Sequence, residues 1–581
     1  MAGARSARMR SLVRLSPLLL GAVLVSATAR ADHDFCNGDG VCAWPETCGT
    51  CPSNDCGSCD VTARVGQLAK YVDQACEHGG DGLSDSCAGG DGQPGRFNDL
   101  QAAIASLGAG ETVFIHPGAY FRQGAPFGPD DAELQGTEDA PIVLTAADPA
   151  NPPTLHSFDP ATGSNEGSHD ALALPGSHVI VDHLRIDGSV IVWGTRMQLQ
   201  YLECTHGWEV CDGNWSCLRA EWCTDCVVHH NSVHDVADVT GHCTDAGYEP
   251  REAGLKEFNG ERNIWELNSV IGAARWGYDL HRNAVDTVVR FNVFQGTGSW
   301  GINIERATNS QIYGNILVGT GGCVEVGGLN EDQAGQPHHD SVHHNACLLS
   351  TTGFHVGGEI VTTLTDNIAS GVGPAGSEGV NVYLDESGDS ADCNAWDDAA
   401  WYASELYETY FQSFAEWQSG TGFDAQGLAA PGGACSFVDA PSAPDDAVFD
   451  LHLAGAPCDT AACDGGEVGP YGATGCVGHT CGDVPPPGTG GGGGAGAGGP
   501  GSGAGGGSSG GGKGTAPASN GAGAASGAPA DPSEGSGSSS GCACSTRGVR
   551  GDGATTLAWA LAGLMAVACR RRRTRGWRAA S

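Results

Sequence analysis

The sequence predicts an all-β fold, a right-handed parallel β-helix, on three observations. First, asparagines beside apolar residues recur at Asn268, Asn292, Asn315, Asn345 and Asn367, with spacings of 24, 23, 30 and 22. Second, four-residue segments with apolar second and fourth positions recur at 277–280, 301–304, 323–326 and 353–356; their third residues, Asp279, Asn303, Glu325 and His355, are spaced 24, 22 and 30. Third, both columns lengthen in the same coil, which a single insertion near residues 327–340 explains. Short apolar strands at such a period belong to coils that stack because none can bury its apolar side alone.

The chain has 581 residues, and its 93 glycines point to a low-complexity portion. Lys+Arg 28 against Asp+Glu 68 gives a formal charge of −40, which excludes nucleic acid as a partner because phosphate binding needs a basic footprint. Residues 1–31 read as a secretory signal. Arg5, Arg8, Arg10 and Arg14 precede the apolar run 15–25, and Ala29 and Ala31 place small residues at the cleavage site. In an exported chain the 25 cysteines read as disulfides. Residues 32–60 hold Cys36, Cys42, Cys48, Cys51, Cys56 and Cys59, a compact disulfide segment whose pairing the spacing leaves open.

At the other end, residues 484–541 are mostly Gly, Ser, Ala and Pro, a tether that cannot build a core. Residues 542–581 follow with Cys542 and Cys544, an apolar stretch over 557–568, and Arg570, Arg571, Arg572, Arg573 and Arg575. Basic residues stay cytoplasmic, which puts the bulk of the chain outside. This order of Gly-rich tether, Gly-Cys, apolar helix and Arg cluster resembles the MYXO-CTERM sorting tail of myxobacteria. The resemblance implies an envelope sorting protease acting near Cys542, a membrane contact through the tail, and display at the outer surface of the cell envelope.

Between these ends, residues 61–395 are assigned to the β-helix. A helix led by Asn98, with Leu100, Ala103, Ile104 and Leu107 at helical spacing, covers its first coil. Residues 396–483 form a C-terminal cap. Trp396, Trp401, Tyr402, Tyr407, Tyr410, Phe411, Phe414 and Trp417 predict an aromatic helical segment over the open end. Cys435, Cys458, Cys463, Cys476 and Cys481 predict disulfide staples there, and Cys204, Cys211, Cys217, Cys223, Cys226 and Cys243 predict a stapled loop over a groove.

Third residues of these strands face outward, so Lys256, Asp279, Asn303, Glu325 and His355 share one face, flanked by His281, Arg282, Glu305 and Arg306. Seven basic residues fall within 251–306 (Arg251, Lys256, Arg262, Arg275, Arg282, Arg290 and Arg306) and no other follows until Lys513. A local basic patch on an acidic protein suits an anionic ligand. Adjacent histidines at 229–230, 338–339 and 343–344 read as solvated rather than metal-binding.

The strand texture and this face resemble the pectate-lyase-like β-helix enzymes, including alginate and chondroitin lyases. The resemblance implies a polysaccharide, anionic in kind, as partner. Lys256 would be the base, Arg282 the acid or carboxylate clamp, and Asp279 and His281 further catalytic groups. Arg251, Arg275, Asn303, Glu305, Arg306, Glu325 and His355 would hold substrate, and a Ca²⁺ could offset the uronate charge. The segment Trp276-Gly277-Tyr278-Asp279-Leu280-His281 is also similar to the Tyr-Gly-Phe-Asp-Pro-His segment of alginate C5-epimerases, with Leu280 where that family has Pro. Lyase, epimerase and non-catalytic adhesin or structural stalk all stay open.

Overall fold

The structure is a computed structural model. It describes residues 68–470 apart from 92, 130–131, 161–169, 206–215, 237–252, 274, 328–338 and a series of short breaks after 357. The secretory signal, the Cys-rich segment, Arg251, the Gly-rich tether and the tail with Cys542 lie outside the described residues.

Three sheets of 12 strands run the length of a right-handed parallel β-helix. The first opens at Leu68–Val72 and ends at Ser390–Asp392. The second runs from Leu134–Gln135 to Trp401–Ser404 and is closed by an antiparallel strand, Thr409–Phe411. The third runs from Ala119–Phe121 to Leu428–Ala429. Inward residues stack in register: Tyr278 faces Ile302, Ile302 faces Val324, and Val324 faces Phe354, all buried.

The bend from the first sheet to the third repeats with two residues. The leading one adopts left-handed φ, at His230, Leu267, Phe291, Gly314, His344, Asp366 and Cys393. For bulky residues this costs about 1–2 kcal/mol each, so something must hold it. The second residue of the bend does. Asn292 Nδ2 donates to Trp265 O at 2.8 Å and to Asn315 Oδ1 at 3.0 Å, while Asn268 N donates to Asn292 Oδ1 at 3.0 Å. The pattern repeats through Asn231, Asn268, Asn292, Asn315, Asn345, Asn367 and Asn394. It stops at Asp424, which accepts from Asn394 Nδ2 at 2.8 Å and from the indoles of Trp396 and Trp417 at 2.8 and 3.0 Å. A carboxylate only accepts, so it terminates a chain of amides that each donate and accept.

The ends differ from expectation in detail. The first coil is covered by α1 (Leu100–Ala105), and its cap is Asp99 rather than Asn98, because the Asp99 side chain accepts from Gln101 N and Ala102 N. At the far end the stack passes residue 395. Trp401–Ser404 continues the second sheet, and among the described residues of this end only Phe414–Thr421 (α2) forms an α-helix, capped by Ser413 and by Gly422 at φ 78°. The aromatic residues there did not imply a helix throughout, since Tyr402 and Ala403 are core residues of one more coil. Cys393–Cys463 and Cys435–Cys458 pair at this end, and Cys323–Cys347 pairs inside the stack. Cys204–Cys217 and Cys223–Cys226 are also buried in the core instead of lying over a groove. Cys211, Cys243, Cys476 and Cys481 fall outside the described residues.

A second carboxyl, besides Asp424, lies in the interior. Glu257 points into the stack and accepts from Asn263 Nδ2, Trp265 Nε1, Tyr278 OH and Thr287 Oγ1 at 2.6–3.1 Å. Burial pushes its carboxyl above the usual range, and the four donors oppose that shift.

Replacing Asn292 with Ala strands the backbone N–H of Asn268 and two amide contacts in the core. We expect a loss of about 2–4 kcal/mol by denaturant unfolding, and a smaller loss for Asn231→Ala at the start of the ladder.

Candidate functional site

Strand pairing places the outward column in one line along the second sheet: Lys256, Asp279, Asn303, Glu325 and His355 are successive partners. The line extends to Arg219 one coil earlier and Tyr383 one coil later, which the spacing had hidden. Beside it runs a second outward line of Phe258, His281 and Glu305.

The centre of the column is not the open groove that its outward position suggested. Lys256 is 2 % and Asp279 0 % exposed. Lys256 Nζ donates to Asp279 Oδ2 at 2.8 Å, and Asn303 Nδ2 donates to the other carboxylate oxygen at 2.7 Å. Removing either partner would leave the other as a buried, unpaired group. Arg219, next in line, is nearly buried against Asp170 at 3.4 Å and Glu221 at 3.2 Å. Burial raises Asp170 to about 6.

The flank is mixed: His281 is 8 % exposed and counts among the buried residues, whereas Glu305 is half-buried. Glu305 Oε2 lies 2.6 Å from His281 Nδ1, close in distance but with the ring N–H off line. His281, then Arg306 and Arg282, hold the Glu305 carboxyl below its ordinary range. His281 also stacks on Phe258 at 5.6 Å. Arg282 is exposed in a left-handed bend (φ 60°), with its guanidinium 5.7 Å from the Phe258 ring centre. It has no hydrogen-bonded acid among the described residues. Arg306 reaches Glu305 at 3.4 Å, and half-exposed Glu325 and His355 approach to 3.4 Å.

The basic patch of the sequence divides in space. Arg262 pairs with Asp225 at 2.7 Å at a bend, and Arg290 lies on the first sheet, bonded to Glu266 and Tyr313 at 2.8 Å. Arg275 sits 3.8 Å over Trp276. A window spanning several coils spreads its basic residues over the second sheet, the first sheet and the bends between strands, so nearness in sequence did not gather them. Of the histidine pairs, 229–230 and 343–344 differ from expectation, whereas His339 is exposed and His338 lies outside the described residues. His229 is fully buried with Gln198 at 2.8 Å, and burial holds it well below its ordinary pKa. His343 stacks on Tyr313 at 4.8 Å, and burial takes it to about 4. Among the described residues, the two groupings of potential metal ligands are Asp73, Cys76 and Cys87, and Asp366, Cys393 and Cys463. The cysteines of each are joined in a disulfide, so neither offers thiolates or the carboxylate set a Ca²⁺ needs.

No protein-family model and no curated protein sequence matches the chain. Among solved structures it is similar to an alginate lyase from Paenibacillus sp. str. FPU-7, at 18% identity over 50% of this chain and 96% of that one, TM-score 0.37. It is similar to the pectate lyase Pel9A at 13% identity over 71% and 98%, TM-score 0.43. It is also similar to PfbA, a surface adhesin of Streptococcus pneumoniae, at 10% identity over 52% and 83%, TM-score 0.30. Identities this low place no residue of the site.

Removing one partner of the buried pair is costly. Lys256→Ala should destabilise by about 3–5 kcal/mol, and adding Asp279→Asn should restore part of that loss in urea unfolding.

A pH effect follows from Asp340, which accepts from Ser310 N at 2.7 Å and which burial raises to about 7. The folded state holds this proton more tightly than the unfolded chain, whose Asp titrates near about 3.9. The contribution to stability is therefore full below that value and is lost as pH rises through about 7. Asp340→Asn should raise the melting temperature at pH 8 and lose that advantage near pH 4.

Proposed function

We propose that this chain is an exported, envelope-held protein that binds polysaccharide on the outward face of the second sheet and cleaves uronate-containing chains by β-elimination. The observation that carries the reading is the unbroken polar line from Lys256 to His355 with exposed Arg282 beside it. A uronate carboxylate would sit on Arg282, which has no competing hydrogen-bonded acid among the described residues. Of the four residues named for catalysis, His281 is the better base. Glu305 faces its Nδ1, which leaves Nε2 as the acceptor. The proton alpha to the carboxylate passes to Nε2, the glycosidic C–O bond breaks, and the leaving oxygen takes a proton from water. Lys256 and Asp279 then act as a fixed charged pair under the site. The secretory signal and the sorting tail support placement at the cell envelope.

A second reading, binding without turnover, is favoured by the same locked Lys256–Asp279 contact, which removes the usual lysine base from reach. Incubation with alginate, polygalacturonate, chondroitin and xylan separates the two. Lyase action produces unsaturated ends absorbing in the ultraviolet, and His281→Ala should reduce that rate by about 10²–10⁴-fold while binding persists. Binding with no ultraviolet product on any probe supports the second reading, and a change of uronate stereochemistry by NMR without cleavage would identify an epimerase. Absence of binding to all four overturns both main readings.

A further inference from the structure

We infer that Trp300 is a stacking platform for a neutral pyranose ring, a subsite on this same face; the inference rests on the polysaccharide reading above. The local geometry starts from a glycine. A Cβ at Gly301 would point into the stack and meet Leu317 at 2.4 Å, and one at Gly277 would meet Phe294 at 2.4 Å. The residues before these glycines, Trp276 and Trp300, are therefore turned away from the core. In the next coil the partner of Trp300 is Gly322, where a Cβ would sit 2.1 Å from two carbons of the indole. The indole thus lies on the sheet surface in space that only glycine leaves open.

Other rings and a carboxylate complete the arrangement. The His355 ring is nearly parallel to Trp300, at 5.8 Å and 23°, and Tyr383 meets His355 edge-on at 4.8 Å. Glu325 lies 3.4 Å from His355 Nδ1. All four side chains are half-exposed. A flat aromatic face takes the C–H face of a pyranose, and a neighbouring carboxylate accepts from its hydroxyls. The charge of Glu325 disfavours a uronate here; Arg275 at this end of the strands is held over Trp276 of the preceding coil, whereas Arg282 is the exposed cation at the opposite end. The two ends of the face therefore select different sugars, acidic at Arg282 and neutral at Trp300.

Affinity electrophoresis of the full chain in gels containing xylan or polygalacturonate tests this. Trp300→Ala should weaken xylan retardation by about five- to tenfold, and Trp300→Phe should stay within about twofold of the parent. Gly322→Ala should weaken it also, by lifting the indole off the sheet. Glu325→Gln should strengthen polygalacturonate binding. Trp300 is partly exposed, so its Ala variant is expected to melt near the parent even if Gly322→Ala does not fold. Unchanged xylan binding by Trp300→Ala overturns the platform while leaving the polysaccharide reading standing. A parent that binds polygalacturonate but not xylan overturns the neutral-sugar assignment alone, and a parent that binds neither xylan, polygalacturonate, alginate nor chondroitin overturns the platform together with the reading.

Discussion

The asparagine ladder is the constraint on which the rest of the stack depends. Each rung holds one two-residue bend in a left-handed conformation that its side chains would not choose. That bend is constant from Asn231 to Asn394, and the variation in coil length occurs elsewhere. Residues 161–169, 206–215 and 237–252 lie between strands of the third and second sheets, and 328–338 lie between the second and first. Both kinds of connection join the second sheet to a neighbouring sheet. The ladder thus keeps one corner rigid and leaves the two corners flanking the candidate site free to take insertions. This division between a scaffold and its loops is the usual place for function.

Two buried charges in one coil are each held by partners of their own. Glu257 and Lys256 are neighbours in one strand and face opposite ways. Glu257 is met by four donors in the interior, and Lys256 by Asp279 on the outer face. Such groups do not add much net stability, because desolvation offsets much of the attraction, but removing either partner is expensive. They therefore tie this coil to one arrangement, with Tyr278 and Asp279 of the next coil each contributing a contact.

Much of this was legible in the sequence, because period alone determines which residues share a line. The asparagine and third-residue columns came out in register, and the insertion near 327–340 falls between the strands Gly322–Gly327 and His339–His343. Arg219 and Asn231 were missed for one reason. Each is 37 residues from its partner, Lys256 and Asn268, because the long segment 237–252 interrupts the coil. The same two-column test applied once more would have found both. Exposure was not legible, since a period gives the face of a residue and not what covers it; Lys256 and Asp279 show the difference. The basic cluster failed because linear density carries no information about which sheet receives each residue, and Arg290 went to the first. Trp300 was hidden by its place before Gly301, where alternation breaks and the glycine, not the tryptophan, turns inward.

The regularity of the coil also limits what the face can recognise. Neighbouring strands lie about 4.8 Å apart, so each outward group is repeated or replaced at that interval along the axis and cannot close around a compact ligand. Such a surface reads an extended ligand position by position. The outward groups from Arg282 and His281, through Asn303, to Glu325 and His355 change along the axis from cationic to acidic, and Trp300, at the start of the strand that holds Asn303, adds an aromatic face beside His355. A uniform polyanion would meet its favourable contact at one end of this line and repulsion at the other. A chain whose sugars differ along its length would satisfy both, and the rigid pitch set by the ladder is what makes that distinction hold.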